Sequence, residues 1–209
     1  MASTFETVPA TTVQATTTAA AVAECAHPQT VQMQGGNTGE AATVADIGRL
    51  GGAVLVVQLS AEGSRTIVDE DPAPVIAGQS LNLPSNTPYV LTRYGVTATQ
   101  IVVWPDSSPL PAIGDALTLD VEGGTYGCFT LDVSNAITLD PGATYLVAAG
   151  VRDAHELRLW DASNALPVDG GVIGQAADGA QLPAALAALV GQPVSALPPS
   201  SVVHSDLLP

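Results

Sequence analysis

Residues 116–151, "ALTLDVEGGTYGCFTLDVSNAITLDPGATYLVAAGV", decide the reading of the fold. In "ALTLDVE" (116–122) and "CFTLDVS" (128–134) apolar and polar residues alternate, which is the period of a strand with one face inward and one outward. "EGGTYG" between them carries glycines that adopt positive φ without strain, so the chain turns there. Working outward, "AVLVVQLSA" (53–61) has the length and β-branched content of a buried strand. "SRTIVDE", "PVIAG", "PYVLTRYGV", "TATQIVVWP" and "HELRLWDAS" are further short candidates, separated by Gly, Pro, Asn and Asp. Regularly spaced short strands point to an all-β sandwich or barrel.

The composition agrees. Aromatic residues make up 4% and charged residues 12% of the 209 positions, and Ala, Val, Gly, Thr and Pro dominate. Twenty acidic residues face five basic ones, all arginine (Arg49, Arg65, Arg93, Arg152, Arg158), for a net charge of −15. Binding a polyanion needs a cluster of cations, so nucleic acid is not an expected partner, and an anionic membrane surface is disfavoured for the same reason. No run of 18 apolar residues is present and the first 25 residues lack a basic, leucine-rich leader, so the default expectation is synthesis in the cytosol. Cys25 and Cys128 fit no CxxC motif; unpaired thiols are expected, with a single disulfide pinning the N-terminal segment as the alternative.

Three regions follow from the pattern. Residues 1–39, with seven threonines in the first eighteen positions, read as an extended arm that gains order on a neighbouring subunit, or else as a disordered leader. Residues 40–170 read as one β-sandwich domain. Residues 171–209 hold a short helix in "LPAALAALVG", opened by Pro183 and stopped by Gly191, and then a proline-punctuated extended tail.

A corner occurs twice. "LPSNTPYVL" (83–91) and "LDPGATYLV" (139–147) set Leu83, Pro84 and Tyr89 against Leu139, Pro141 and Tyr145. A leucine, a turn and then a tyrosine whose hydroxyl ties back to upstream backbone mark a chain crossing between sheets. With "ELRLWDASNALP" (156–167), these stretches resemble, over residues 80–170, the Ig-like or jelly-roll β-sandwiches found in phage head decoration, head-fibre and surface-display modules. That resemblance implies an antiparallel sandwich and Tyr89 and Tyr145 as structural corners. Cytosolic synthesis, a sandwich of low aromatic content, the Thr/Ala arm and the apolar, proline-rich tail together lead to the expectation of a non-enzymatic virion component, assembled in the host cytoplasm through its termini, as a trimer or pentamer, with other capsid or particle proteins.

Candidate chemistry is sparse. His27, His155 and His204 form no metal or triad spacing, and no nucleophile elbow, phosphate loop or dinucleotide fingerprint occurs, so neither an enzyme nor a cofactor is expected. Asp69, Glu70 and Asp71 are the densest acidic run, read as a solvated turn rather than a Ca²⁺ loop, and Asp120 and Glu122 as the polar face of a strand. Trp104 and Trp160, with Tyr94 and Tyr126, could stack on sugar rings, although core packing is the plainer reading. They carry the alternative function, a carbohydrate-binding or adhesive module at a cell surface that meets host glycans.

Overall fold

The computed structural model describes residues 29–34, 41–69, 88–134, 137–159, 162–176 and 182–205. The strands are β1 (Gln29–Gln34), β2 (Gly52–Asp69), β3 (Tyr89–Pro105), β4 (Ala116–Glu122), β5 (Gly124–Tyr126), β6 (Phe129–Ser134), β7 (Thr144–Val151), β8 (Glu156–Leu159), β9 (Ala165–Asp169), β10 (Val172–Ile173) and β11 (Ser201–Val203). The described residues also include two short α-helices, α1 (Val44–Arg49) and α2 (Ala184–Ala187), and two 3-10 turns, Ala162–Asn164 and Val194–Ala196. The chain is all-β and sandwich-like.

The larger sheet runs β10-β9-β7-β2-β3-β4-β8, and β8 pairs back onto β7, so β7, β2, β3, β4 and β8 close a ring. Antiparallel order cannot alternate around an odd number of strands, and the mismatch falls between β4 and β8, which pair in parallel. β1–β6 and β3–β11 are parallel as well, so the sheets are mixed rather than purely antiparallel. β2 and β3 are each one long strand where the sequence suggests two. β2 shifts register against β3 between Leu59 and Ser64, where Gly63 sits at φ 83°, and this irregularity lets a single strand bend around the ring instead of stopping.

Side-chain alternation sorts the apolar residues into two cores. Leu55, Val57 and Leu59 of β2, Leu117 and Leu119 of β4, Val147 of β7 and Leu157 of β8 fill the ring with Trp104. Val54 and Val56 of β2, with Leu146 and Ala148 of β7, face the other way, onto Ile47 of α1 and Leu186, Leu189 and Leu197 of the C-terminal segment. This explains why "AVLVV" is continuously apolar: a strand buried on both faces has no polar side to show. A buried Val or Leu contributes about 1.5–3 kcal/mol, so the C-terminal segment is held to its own domain by several such side chains. β11 adds a further parallel pairing beside Val103–Pro105.

α1 was not visible as a helix in the strand pattern, but its start is written locally. Thr43 and Asp46 form a capping box, with the Asp46 amide donating to Thr43 Oγ1 at 3.3 Å and the Thr43 amide to Asp46 Oδ2 at 2.9 Å.

A second, three-stranded sheet has the order β1-β6-β5. "ALTLDVE" and "CFTLDVS" are therefore not partners. Gly123 and Gly124, at φ 102° and 135°, redirect the chain out of the ring, and the hairpin forms between β5 and β6 instead. A Cβ on Gly124 would lie 2.9 Å from Thr92 Oγ1, so the turn also needs glycine for its close approach. Leu131 and Val133 of β6 pack on Tyr89, Val90 and Leu91 of β3, with Val31 of β1 at the margin.

Candidate functional site

The charged residues of the strands converge on the face of β4 and β8 opposite Leu117, Leu119 and Leu157. The register aligns Arg93 of β3 with Asp120 of β4, and Asp120 with Arg158 of β8. Arg93 grips Asp120 with two parallel hydrogen bonds, Nε to Oδ1 and Nη2 to Oδ2, both 2.6 Å, and its Nη2 also donates to Glu156 at 2.7 Å. Asp120 is fully buried. Beside this group, Asp69 at the end of β2 receives hydrogen bonds from Arg152 at 2.7 Å and from the fully buried Arg158. The Arg158 guanidinium lies 5.3 Å from the centre of the Tyr89 ring, and the Tyr89 hydroxyl donates to Glu122. Burial and the adjacent Glu122 carboxylate push the Tyr89 pKa up, which keeps its hydroxyl protonated as a donor.

Glu156 is the carboxyl of this cluster whose proton affinity the fold changes. Desolvation, together with the hydrogen bond and charge of Asp120, holds the Glu156 pKa above the ordinary carboxylate value, while Arg93 opposes the shift. A carboxyl that binds its proton more tightly in the folded chain favours folding most at low pH. That contribution is lost as pH rises from the unfolded Glu range through the raised folded value. Glu156→Gln is therefore expected to flatten the pH dependence: the stability of the native chain relative to the variant falls as pH rises above the ordinary Glu range. Urea midpoints of both proteins at half-unit steps measure this, and a relative stability that rises with pH contradicts the assignment.

The sequence-marked residues have varied fates. Tyr145 accepts a hydrogen bond at its hydroxyl from the Asp140 amide, at 3.1 Å, five residues upstream. Tyr94 does the same for the neighbouring Leu139 amide at 3.3 Å, so two tyrosines hold consecutive backbone donors. Both pack in the ring core with Leu139. Tyr89 is engaged with Glu122 and Arg158 instead and packs on the small sheet; Leu83 and Pro84 lie outside the described residues. Trp104 is fully buried and its indole N–H donates to the Ser108 carbonyl at 3.1 Å, so it offers no face to a sugar ring. Trp160 lies outside the described residues, and Tyr126 is exposed on β5.

Among the acids, Asp69 is committed to two guanidinium groups, and Glu70 and Asp71 lie outside the described residues. Asp120 and Glu122 do lie on the polar face of β4, and that face is occupied: Arg93 and Tyr89 of the neighbouring β3 bond to them, and Asp120 is fully buried. Among the described residues no three His, Cys, Asp or Glu side chains come together as metal ligands. No helix among them is long and apolar enough to cross a membrane. Cys128, in the β5–β6 turn, is disulfide-bonded and not the free thiol that its isolation suggests, and Cys25 lies outside the described residues.

The arginines of the cluster were missed as a group. A signal was available: with five cations among twenty acids, an arginine on a strand is surrounded by candidate partners, and Arg49, Arg93, Arg152 and Arg158 are all ion-paired. Chemically, the arrangement neutralises charge inside a curved sheet and locks β8 to β2, β3 and β4. Compared with known proteins, the chain matches no family model, and neither a curated protein nor a solved structure is significantly similar to it.

Proposed function

We propose that the protein is a non-enzymatic structural component of a phage-like virion, a head decoration, head-fibre or related capsid-associated protein, that associates with copies of itself and with other particle proteins. The observation that supports this reading is β1. A six-residue strand from the N-terminal segment is laid in parallel on β6, its partners one hundred residues further along the chain, with Gln29, Thr30 and Gln32 exposed and Val31 packed at the margin of the small core. A strand added to a sheet through its backbone ladder is the kind of element that assembling proteins use to join subunits. The charged cluster fits the same reading, since its carboxylates are spent on arginines and a tyrosine as a brace.

The test is the native mass of the full chain, by light scattering after size exclusion, beside a chain that begins at Glu40. A defined oligomer that falls to a folded monomer, with cooperative urea unfolding retained, is the expected result. Identical monomers would overturn the reading and turn attention to glycan binding around Trp160.

A further inference from the structure

β1 is the outermost strand of the β1-β6-β5 sheet. Its pairing to β6 is oriented by the Gln29 amide, which donates to the Cys128 carbonyl at 2.9 Å. In a parallel ladder a residue directs both its N–H and its C=O to one side, and its neighbours direct theirs to the other. Gln29 and Val31 therefore bond inward to β6, and the N–H and C=O groups of Thr30 and Gln32 point outward, along an edge where both side chains are exposed. Among the described residues no strand pairs with that edge.

Natural edge strands are protected by charge, proline or a bulge. "QTVQMQ" has no charge and no proline, and its six pairings to β6 run without a register shift. The absence of charge also identifies the occupant. In a chain of net charge −15, most surfaces repel a second copy, whereas an uncharged strand can lie beside its own duplicate with no like charges opposed.

We propose that β1 is a homotypic docking edge, at which the β1 strands of two copies pair antiparallel about a two-fold axis centred on Val31. This rests on the assembly reading and gives it a partner, a second copy, and a two-fold symmetry in place of the trimer or pentamer expected from the sequence. Thr30 of each copy faces Gln32 of the other and exchanges two hydrogen bonds with it, and the two Val31 side chains meet at the axis. The result is one continuous sheet of order β5-β6-β1-β1-β6-β5.

The geometry dictates the experiment, done on the full chain by light scattering over a hundredfold range of concentration. Gln32→Pro removes an outward N–H and leaves the inward ladder to β6 intact. The native chain is expected to be a dimer, and the variant to dissociate at least about tenfold more readily, from the loss of two symmetry-related bonds. A second variant, Thr30→Glu with Gln32→Glu, puts like charges opposite each other at both pairs; its dimer is expected to weaken at low salt and recover at 1 M salt. A dimer unaffected by both variants overturns the proposal, as does a trimer or pentamer, although an odd oligomer leaves the assembly reading standing. A native chain that is monomeric throughout overturns both.

Discussion

Arg158→Ala is expected to lower the free energy of unfolding by about 3–5 kcal/mol, the cost of removing one member of a buried ion pair. The side chain is fully buried on β8, hydrogen-bonded to Asp69, and stacked over Tyr89. Its loss strands carboxylate charge in a site with 13% exposure at Asp69, with Arg152 left as the remaining partner among the contacts described above. β8 is also the strand that closes the ring between β4 and β7, so the damage falls where the topology has least redundancy. Arg152→Ala provides the comparison. Arg152 is 26% exposed and shares the same carboxylate, so it should cost about 1 kcal/mol or less. Asp69→Asn combined with Arg158→Met removes both charges and should recover part of the loss, because a neutral pair avoids the cost of desolvating an ion. Urea unfolding of the three variants beside the native chain measures these differences. An Arg158→Ala cost under about 1 kcal/mol would mean that water already reaches the pair, and the cluster would not be a brace.

The strand segments were legible because each is written locally. Alternation in 116–122 and the doubly apolar run at 53–57 hold whatever the strands pair with, and Pro183 opens the C-terminal helix, although the helix ends at Ala187, short of the expected stop at Gly191. Tyr145 was legible as a corner for the same reason, since its hydroxyl reaches back only five residues. The ring was not legible. Its closure depends on Leu119 of β4 lying beside Leu157 of β8 and on Gly150 of β7 lying beside Arg158, and period alone does not choose between partners so far apart in the chain. The burial of Asp120 was hidden by that gap: alternation places it on the polar side of its strand, and only the pairing that brings Arg93 beside it and Arg158 into register makes it a buried anion. Tyr89 resembled Tyr145 in spacing, but Glu122 and Arg158 arrive from β4 and β8, which its local sequence does not mention.

Trp104→Ala is expected to cost about 3–5 kcal/mol, the range for emptying a large aromatic site in a core. Trp104 lies in the ring core with no exposed surface, near the end of β3, where β2 pairs on one side and β11 on the other. Its indole N–H holds the Ser108 carbonyl, so the side chain both fills the ring and fastens the loop that leads to β4. Two lesser substitutions separate these roles. Trp104→Phe keeps most of the apolar volume and loses the hydrogen bond, so it should cost about 1–2 kcal/mol more than a surface change. A methionine should fall between phenylalanine and alanine, because its flexible chain fills only part of the cavity. The ordering also decides what the tryptophan is for. A sugar-stacking residue can be truncated with little effect on folding, since its ring stands in water before the ligand arrives. A core residue shows the reverse: large losses in urea midpoint that scale with volume removed, and no change in glycan binding that is separate from unfolding. Retention of stability in Trp104→Ala would place the indole at the surface and revive the adhesive reading. A graded loss through phenylalanine, methionine and alanine fixes Trp104 as the element that packs the ring.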